Sequence, residues 1–215
     1  MTLQLYFHPL SSFSQKVLIA LYENDTPFEP HIVHFGDGNS RKEFLDLWPI
    51  GKIPVLNDTA RDWFVPETSI IIEYLDHHYP GSTRFIPADA DVARQMRLRD
   101  RFFDSYVNVP MQKIVSDRIR LEGERDPFGV DEARRILSTA LELIDEAMGS
   151  KEWAAGAEFS MADCAAAPAL WYANKVLPFA DQRPNALAYL ERLKARPSFA
   201  RALREAEPYL QYFPG

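Results

Sequence analysis

The sequence predicts an α/β layer structure followed by an all-α helical bundle. Strand-like and helix-like segments alternate over roughly the first eighty residues, and strand patterns stop beyond Tyr79-Pro80-Gly81-Ser82. Every later periodic stretch repeats its apolar residues at helical spacing. Leu3 to Phe7 alternates apolar and polar residues and runs into His8-Pro9, a short strand entering a loop. Serines 11, 12 and 14 stand ahead of Val17, Leu18, Ala20, Leu21 and Tyr22. That order predicts a helix ending near Asn24, with Ser14 its expected cap. Residues 28–35 form a second strand, which Pro30 assigns to an edge or a bulge. Residues 41–47 make a short amphipathic helix. Residues 53–56 and 62–65 flank Asn57-Asp58-Thr59-Ala60 as the arms of a hairpin. Residues 67–77 carry Ile70, Ile71, Tyr74 and Leu75 at helical spacing. The order βαβαββα implies a parallel first pair of strands and an antiparallel last pair.

In the second half, residues 89–121 read as one long helix. Residues 131–148 follow, with Ile136, Leu137, Ala140, Leu141 and Ile144 in one stripe. Further helices are expected at 161–176, 184–195 and 197–206, the last two with proline in the first turn. Pro80, Gly81, Ser82 and Pro87 mark a linker, giving an N-terminal domain over 1–79 and a helical domain over 88–215.

Composition narrows the function. The 215 residues carry 24 Lys+Arg against 31 Asp+Glu, a formal charge of −7, which argues against a nucleic-acid partner. The one cysteine, Cys164, excludes an intramolecular disulfide, a multi-cysteine zinc site and a C-x-x-C redox centre; it reads as a packing residue. No apolar run of about 18 residues exists, so no membrane span is expected. Met1 to Tyr6 has neither a basic n-region nor a long apolar stretch, so the expectation is a cytoplasmic protein without a signal peptide. His8, His31 and His34 are isolated and His77-His78 are adjacent, so no metal site is expected. Arg94, Arg97, Arg99 and Arg101 interleave with Asp91, Asp100 and Asp104, which reads as a solvated or subunit-facing helix surface.

Three segments bear on chemistry. The loop His8 to Ser14 joins a strand's C-terminal end to a helix start, where α/β folds place ligands and where backbone N–H groups favour an anion. Its serines equally suit simple helix capping. In Gly51-Lys52-Ile53-Pro54-Val55-Leu56 a proline enters a strand, as at an ordinary edge or after a cis bond. Pro66-Glu67-Thr68-Ser69 heads a helix, where acidic and hydroxyl side chains are stabilising in any protein.

Taken together, in this order and at these spacings, the three segments resemble the glutathione transferase superfamily, as a serine-type, bacterial-like member. Phe159-Ser160-Met161-Ala162-Asp163 resembles the capping segment of that family's helical domain, so the resemblance spans almost the whole chain. It implies a thioredoxin-like N-terminal domain, glutathione as cosubstrate, no tightly bound cofactor, and a homodimer. By resemblance Ser11, with Ser12 as its alternate, is the hydroxyl that contacts the glutathione sulfur. Lys52 approaches the glycine carboxylate, and Ile53 offers backbone groups to the cysteinyl moiety ahead of a cis Pro54. Glu67 and Thr68 hold the γ-glutamyl end. An apolar electrophile would sit against the helical domain, with Tyr106, Phe103 and Trp171 as candidate pocket residues. Ser160 and Asp163 have a folding role.

The magnitudes suffice. A free thiol has a pKa of about 8.5, and lowering it by about two units requires roughly 2.7 kcal/mol. A hydrogen bond to a charged group supplies about 1.5–3 kcal/mol, and a helix N-terminus about 0.3–1. Ser11-Ser12-Phe13-Ser14 stands where redox-active thioredoxin-like folds carry C-x-x-C, so the thiol has to come from glutathione. Two alternatives accompany this reading. One is a glutathione-dependent isomerase of the maleylacetoacetate type, against which Phe13 stands where that class often has cysteine. The other is a non-catalytic interaction module of the same fold.

Overall fold

The computed structural model describes residues 2–179 and 181–214. Four strands form one sheet: β1 (Leu3–Phe7), β2 (Glu29–Ile32), β3 (Val55–Asp58) and β4 (Trp63–Pro66), in the order β2-β1-β3-β4. β1 runs parallel to β2, with Leu5 opposite Pro30, and antiparallel to β3, with Leu5 opposite Leu56. β3 and β4 close the hairpin with Leu56 opposite Val65. Pro30 thus lies on the edge strand, where its missing N–H costs the ladder nothing. The second strand is shorter than the 28–35 expected, because His34 and beyond turn outward into the cap of the next helix.

Helices α1 (Ser12–Glu23) and α3 (Thr68–His78) cover one sheet face. Their apolar sides meet Leu3, Leu5, Phe7, Leu56 and Val65 in a continuous core. Helix α2 (Gly38–Leu47) covers the other face more thinly, through Phe44 on Val33 and Val55.

The helical half begins with α4 (Ala90–Phe102), passes through a π-helical turn (Phe103–Asn108) and continues as α5 (Val109–Arg118). The single long helix expected over 89–121 is therefore interrupted by this turn, in which Asp104 and Asn108 are both buried. Helix α6 (Pro127–Met148) starts earlier than its apolar stripe alone indicates, because Asp126 accepts the Gly129 N–H as its cap. Helices α7 (Met161–Val176), α8 (Pro184–Ala195) and α9 (Pro197–Ala206) complete the bundle.

Helix α7 lies at the centre. Its alanines at 162, 165, 166, 167, 169 and 173 are buried and let α1, α4 and the π-helical turn approach closely. The main core extends from this helix to Ile19 and Ala20 of α1 and Ile72 of α3, so the layer and the bundle share one interior.

Candidate active site

Helix α1 is tied to the π-helical turn at two points. Ser12 and Lys16 are four residues apart on its inner side, as Asp104 and Asn108 are on the π-helical turn, and the pairs meet in antiparallel order. The Ser12 hydroxyl donates to Asn108 Oδ1 at 2.8 Å, and Lys16 Nζ lies 2.8 Å from Asp104 Oδ2. Lys16 Nζ also lies 2.6 Å from Asp100 Oδ1 and 3.0 Å from Ser69 Oγ, and the Ser69 hydroxyl donates to Asp100 Oδ2 at 2.5 Å. Lys16, Asp100 and Asp104 are all nearly inaccessible to solvent. This corrects the expectation of a solvated or subunit-facing surface for Asp100 and Asp104, whereas Asp91, Arg94, Arg97 and Arg101 are exposed. Burial, followed by the neighbouring Asp100 charge, pushes the Asp104 carboxyl up against the opposing pull of Lys16. The cluster joins the first turn of α3 to α1 and to the helical layer.

At the head of α1, Ser11 rather than Ser14 is the cap: its Oγ accepts the Ser14 N–H at 3.3 Å. The Ser14 hydroxyl instead accepts the His8 N–H, closing the loop on itself. The two adjacent serines therefore differ in their hydrogen bonds. Ser12 is buried and gives its proton to Asn108, whereas half-buried Ser11 uses a lone pair for the cap and gives its proton to no residue among those described. Tyr172 fastens the loop from below, donating to the Leu10 carbonyl at 2.5 Å; its burial pushes the phenol pKa well up.

These elements border a cleft with two lobes. The larger, about 430 Å³, has Ser11 and Ser12 on one side and apolar walls from Leu10, Phe35, Met111, Val115 and Phe213. The smaller, about 290 Å³, contains Pro54, Glu67, Thr68, Arg101 and Asp104. Phe13, Lys52, Ile53 and Gln112 border both lobes, so the two adjoin. The Ile53–Pro54 peptide is cis. Glu67 has φ +69°, a left-handed backbone that costs a side-chain-bearing residue energy and is characteristic of functional turns. Thr68, next in sequence, is buried at the head of α3, and Lys52 is exposed at the rim.

Ser11, Ser12, Lys52, Ile53, Pro54, Glu67 and Thr68 are thus brought together around one cleft. The three candidate pocket residues lie elsewhere. Tyr106 is exposed and borders a separate apolar cavity of about 350 Å³ with Phe102, Ile136 and Leu143. Phe103 is buried in the bundle core, and Trp171 packs edge-on against Tyr172 with Lys175 over its ring. Met111, Gln112 and Val115 of α5 are the helical wall instead. Their i, i+1, i+4 spacing after the π-helical turn is visible in the sequence, but the rotation that turn imposes is not. A further cleft of about 570 Å³ lies between β2 and α9, where Tyr22, Arg201 and Glu205 contact one another. Among the described residues no cluster of His, Cys, Asp or Glu is arranged to hold a metal.

A capping serine, a cis proline and an acid-hydroxyl helix start, drawn from three separate segments of a strand–loop–helix layer, thus border one cleft, and comparison with known proteins supplies the family. Residues 5–83 match the glutathione S-transferase N-terminal domain, and residues 127–192 match the glutathione S-transferase C-terminal domain. Glutathione S-transferase GstB of Escherichia coli is 27% identical over 187 residues, covering 86% of this chain and 89% of that protein. FtsZ-localized protein A of Caulobacter vibrioides is 30% identical over 214 residues, covering 96% of this chain and 92% of that one. A crystal structure of a glutathione S-transferase from Methylobacterium radiotolerans, in complex with glutathione sulfonate, superimposes with a TM-score of 0.81 at 28% identity, covering 93% of each chain. The chain belongs to the glutathione S-transferase family, with a thioredoxin-like N-terminal domain and a helical C-terminal domain. No helix among the described residues is long and apolar enough to cross a membrane.

Proposed function

We propose that this protein is a serine-type glutathione transferase that ionises the glutathione thiol through Ser11 and presents it to an apolar electrophile. The observation that carries the reading is the hydroxyl proton of Ser11. The Oγ accepts from Ser14 N–H, which leaves the O–H free to donate to an anion at the head of α1, while the proton of Ser12 is spent on Asn108. A thiolate near that hydroxyl gains a charge-assisted hydrogen bond and the helix dipole together. The γ-glutamyl end would lie in the smaller lobe on Glu67 and Thr68, the cysteinyl backbone along Ile53 and the glycine carboxylate toward Lys52. The nucleophile belongs to the cosubstrate, and the protein contributes proximity and thiolate stabilisation.

In this reading residues 1–79 are the glutathione-binding domain and residues 88–215 contribute the electrophile wall. That wall is Met111 and Val115 with Phe35 and Phe213, and its apolar character supports an apolar electrophile. We extend the proposal to a cytoplasmic homodimer with a detoxifying role, on family resemblance. The likeness to FtsZ-localized protein A keeps the interaction-module alternative in view; retention of Ser11, Lys52, Glu67 and Thr68 around one cleft favours catalysis.

The test is glutathione binding by calorimetry, together with conjugation of a halo-nitroaromatic by the wild type and by Ser11→Ala. The expected result is micromolar-to-millimolar glutathione affinity in both and a rate at neutral pH reduced about ten- to hundredfold in the variant, with its pH profile displaced upward. Unchanged rate and profile would remove Ser11 from the mechanism. A wild type that does not bind glutathione would point to the interaction module.

A further inference from the structure

Gln112 borders both lobes of the cleft from the helical side, beside the serine loop. The position of its amide head is known from its contact: Nε2 lies 3.4 Å from Ser12 Oγ. The direction of that contact follows from counting protons. Ser12 has one hydroxyl proton, and it goes to Asn108 Oδ1 at 2.8 Å. Gln112 therefore has to turn its NH₂ toward Ser12, not its carbonyl. An NH₂ carries two protons, and only one reaches Ser12, along a bond at the long end of the accepted range. The second N–H has no protein partner among the described residues. Asn108 and Gln112 are four residues apart, so the π-helical turn and the first turn of α5 aim both amides at the same serine loop.

Resting on the reading of Ser11 as thiol ligand, the geometry points to Gln112 as a second hydrogen-bond donor to the glutathione thiolate, supplied by the helical layer across the cleft. Ser11 donates from the head of α1 and the Gln112 carboxamide from α5, so the sulfur is held between the two layers. The Ser12–Asn108 pair orients the donor. The anion would be solvated on two sides by fixed neutral donors, which stabilise the thiolate without neutralising it and so preserve its nucleophilicity.

The experiment titrates the ultraviolet absorbance of the thiolate of bound glutathione against pH in the wild type, Gln112→Leu and Gln112→Glu, alongside calorimetric affinities for glutathione and for S-methylglutathione. In Gln112→Leu the bound thiol is expected to titrate about one pH unit higher, roughly tenfold less thiolate at neutral pH, with affinity for the non-ionising S-methylglutathione unchanged. Gln112→Glu keeps the shape and substitutes a negative charge for the donor, so its thiol is expected to titrate higher still. A thiol titration unchanged in both variants overturns the assignment. So does an equal loss of affinity for both peptides, which is the mark of a structural role. A wild type that binds neither peptide fails at the level of the Ser11 reading instead, and a wild type that binds glutathione with an unshifted thiol overturns the Gln112 assignment, because a donor to the thiolate has to lower that titration.

Discussion

Helix α1 is headed by Ser11 and helix α7 by Ser160, and each buries one residue of the Lys, Arg, Asp or Glu type within two turns of its start: Lys16 in α1, Asp163 in α7. At α7 everything is spent internally. The Ser160 N–H and O–H both donate to Asp163 Oδ2 at 2.9 Å, while Oδ1 takes the Tyr189 O–H at 2.5 Å and the Ala154 N–H at 2.8 Å. At α1 the capping hydroxyl keeps its proton beside a cleft, and the buried charge is met by carboxylates from the opposite layer. The same local code, a hydroxyl before an apolar helix, therefore gives a structural knot in one place and a hydroxyl with an unspent proton beside a cleft in the other. The deciding variable is whether the hydroxyl's proton is consumed inside the fold.

Breaking the buried charge of α1 is expected to have the largest effect. Lys16→Met leaves Asp100 and Asp104 buried without their cation and should cost about 3–5 kcal/mol in chemical denaturation. Asp163→Ala tests the other half: it strands the Ser160 and Ala154 N–H groups and the Tyr189 hydroxyl, at about 3 kcal/mol, with glutathione affinity per folded molecule retained. Ser11→Ala sharpens the contrast. The lost cap costs about 1 kcal/mol of stability, close to what Ser160→Ala costs, yet of these two serine variants only Ser11→Ala should lower the conjugation rate.

The smallest effect is in pH. The Asp104 carboxyl is raised above its unfolded value, so its contribution is complete below pH of about 4 and is lost as pH rises through the folded pKa. The stability of Asp104→Asn relative to wild type, measured in urea from pH 4 to 7, should therefore improve as pH rises. A flat difference would mean that Lys16 fully compensates the second carboxylate.

The fold was legible wherever periodicity was strong. Helices at 161–176, 184–195 and 197–206 end where their caps and prolines place them; the hairpin forms too, but its turn falls at 59–62, and Asn57 and Asp58, expected in the turn, belong to β3 opposite Phe64 and Trp63. The residues that border the cleft at Ser11, Lys52, Ile53, Glu67 and Thr68 are legible too, because they lie in three short segments whose order and spacing carry the family resemblance. The cap of α1 was misplaced by three residues, since three serines in four positions offer several registers and only the path of the loop chooses among them. Asp100 and Asp104 read from the sequence as part of a solvated or subunit-facing surface because alternating charges on a helix usually are solvated; their burial depends on Lys16, far away in sequence. Of the pocket residues that the resemblance implies, Phe103 and Tyr106 lie on the π-helical turn and Trp171 on α7, and none of them borders the cleft; beyond the turn Met111, Gln112 and Val115 do.

What the linear sequence determines is local: which segments are helix or strand, where they stop, and that its single cysteine, Cys164, leaves the loop at 11–14 without a thiol of its own. Cys164 itself is buried in α7, its thiol pushed well up by that burial. Tertiary structure alone decides which serine retains a free proton, which charges are buried, and which amide borders both lobes of the cleft. The physical reason is that hydrogen-bond donors are finite. Whether a hydroxyl or an amide N–H is available for chemistry depends on the partners that distant segments bring to it, and those partners exist only once the two layers are packed.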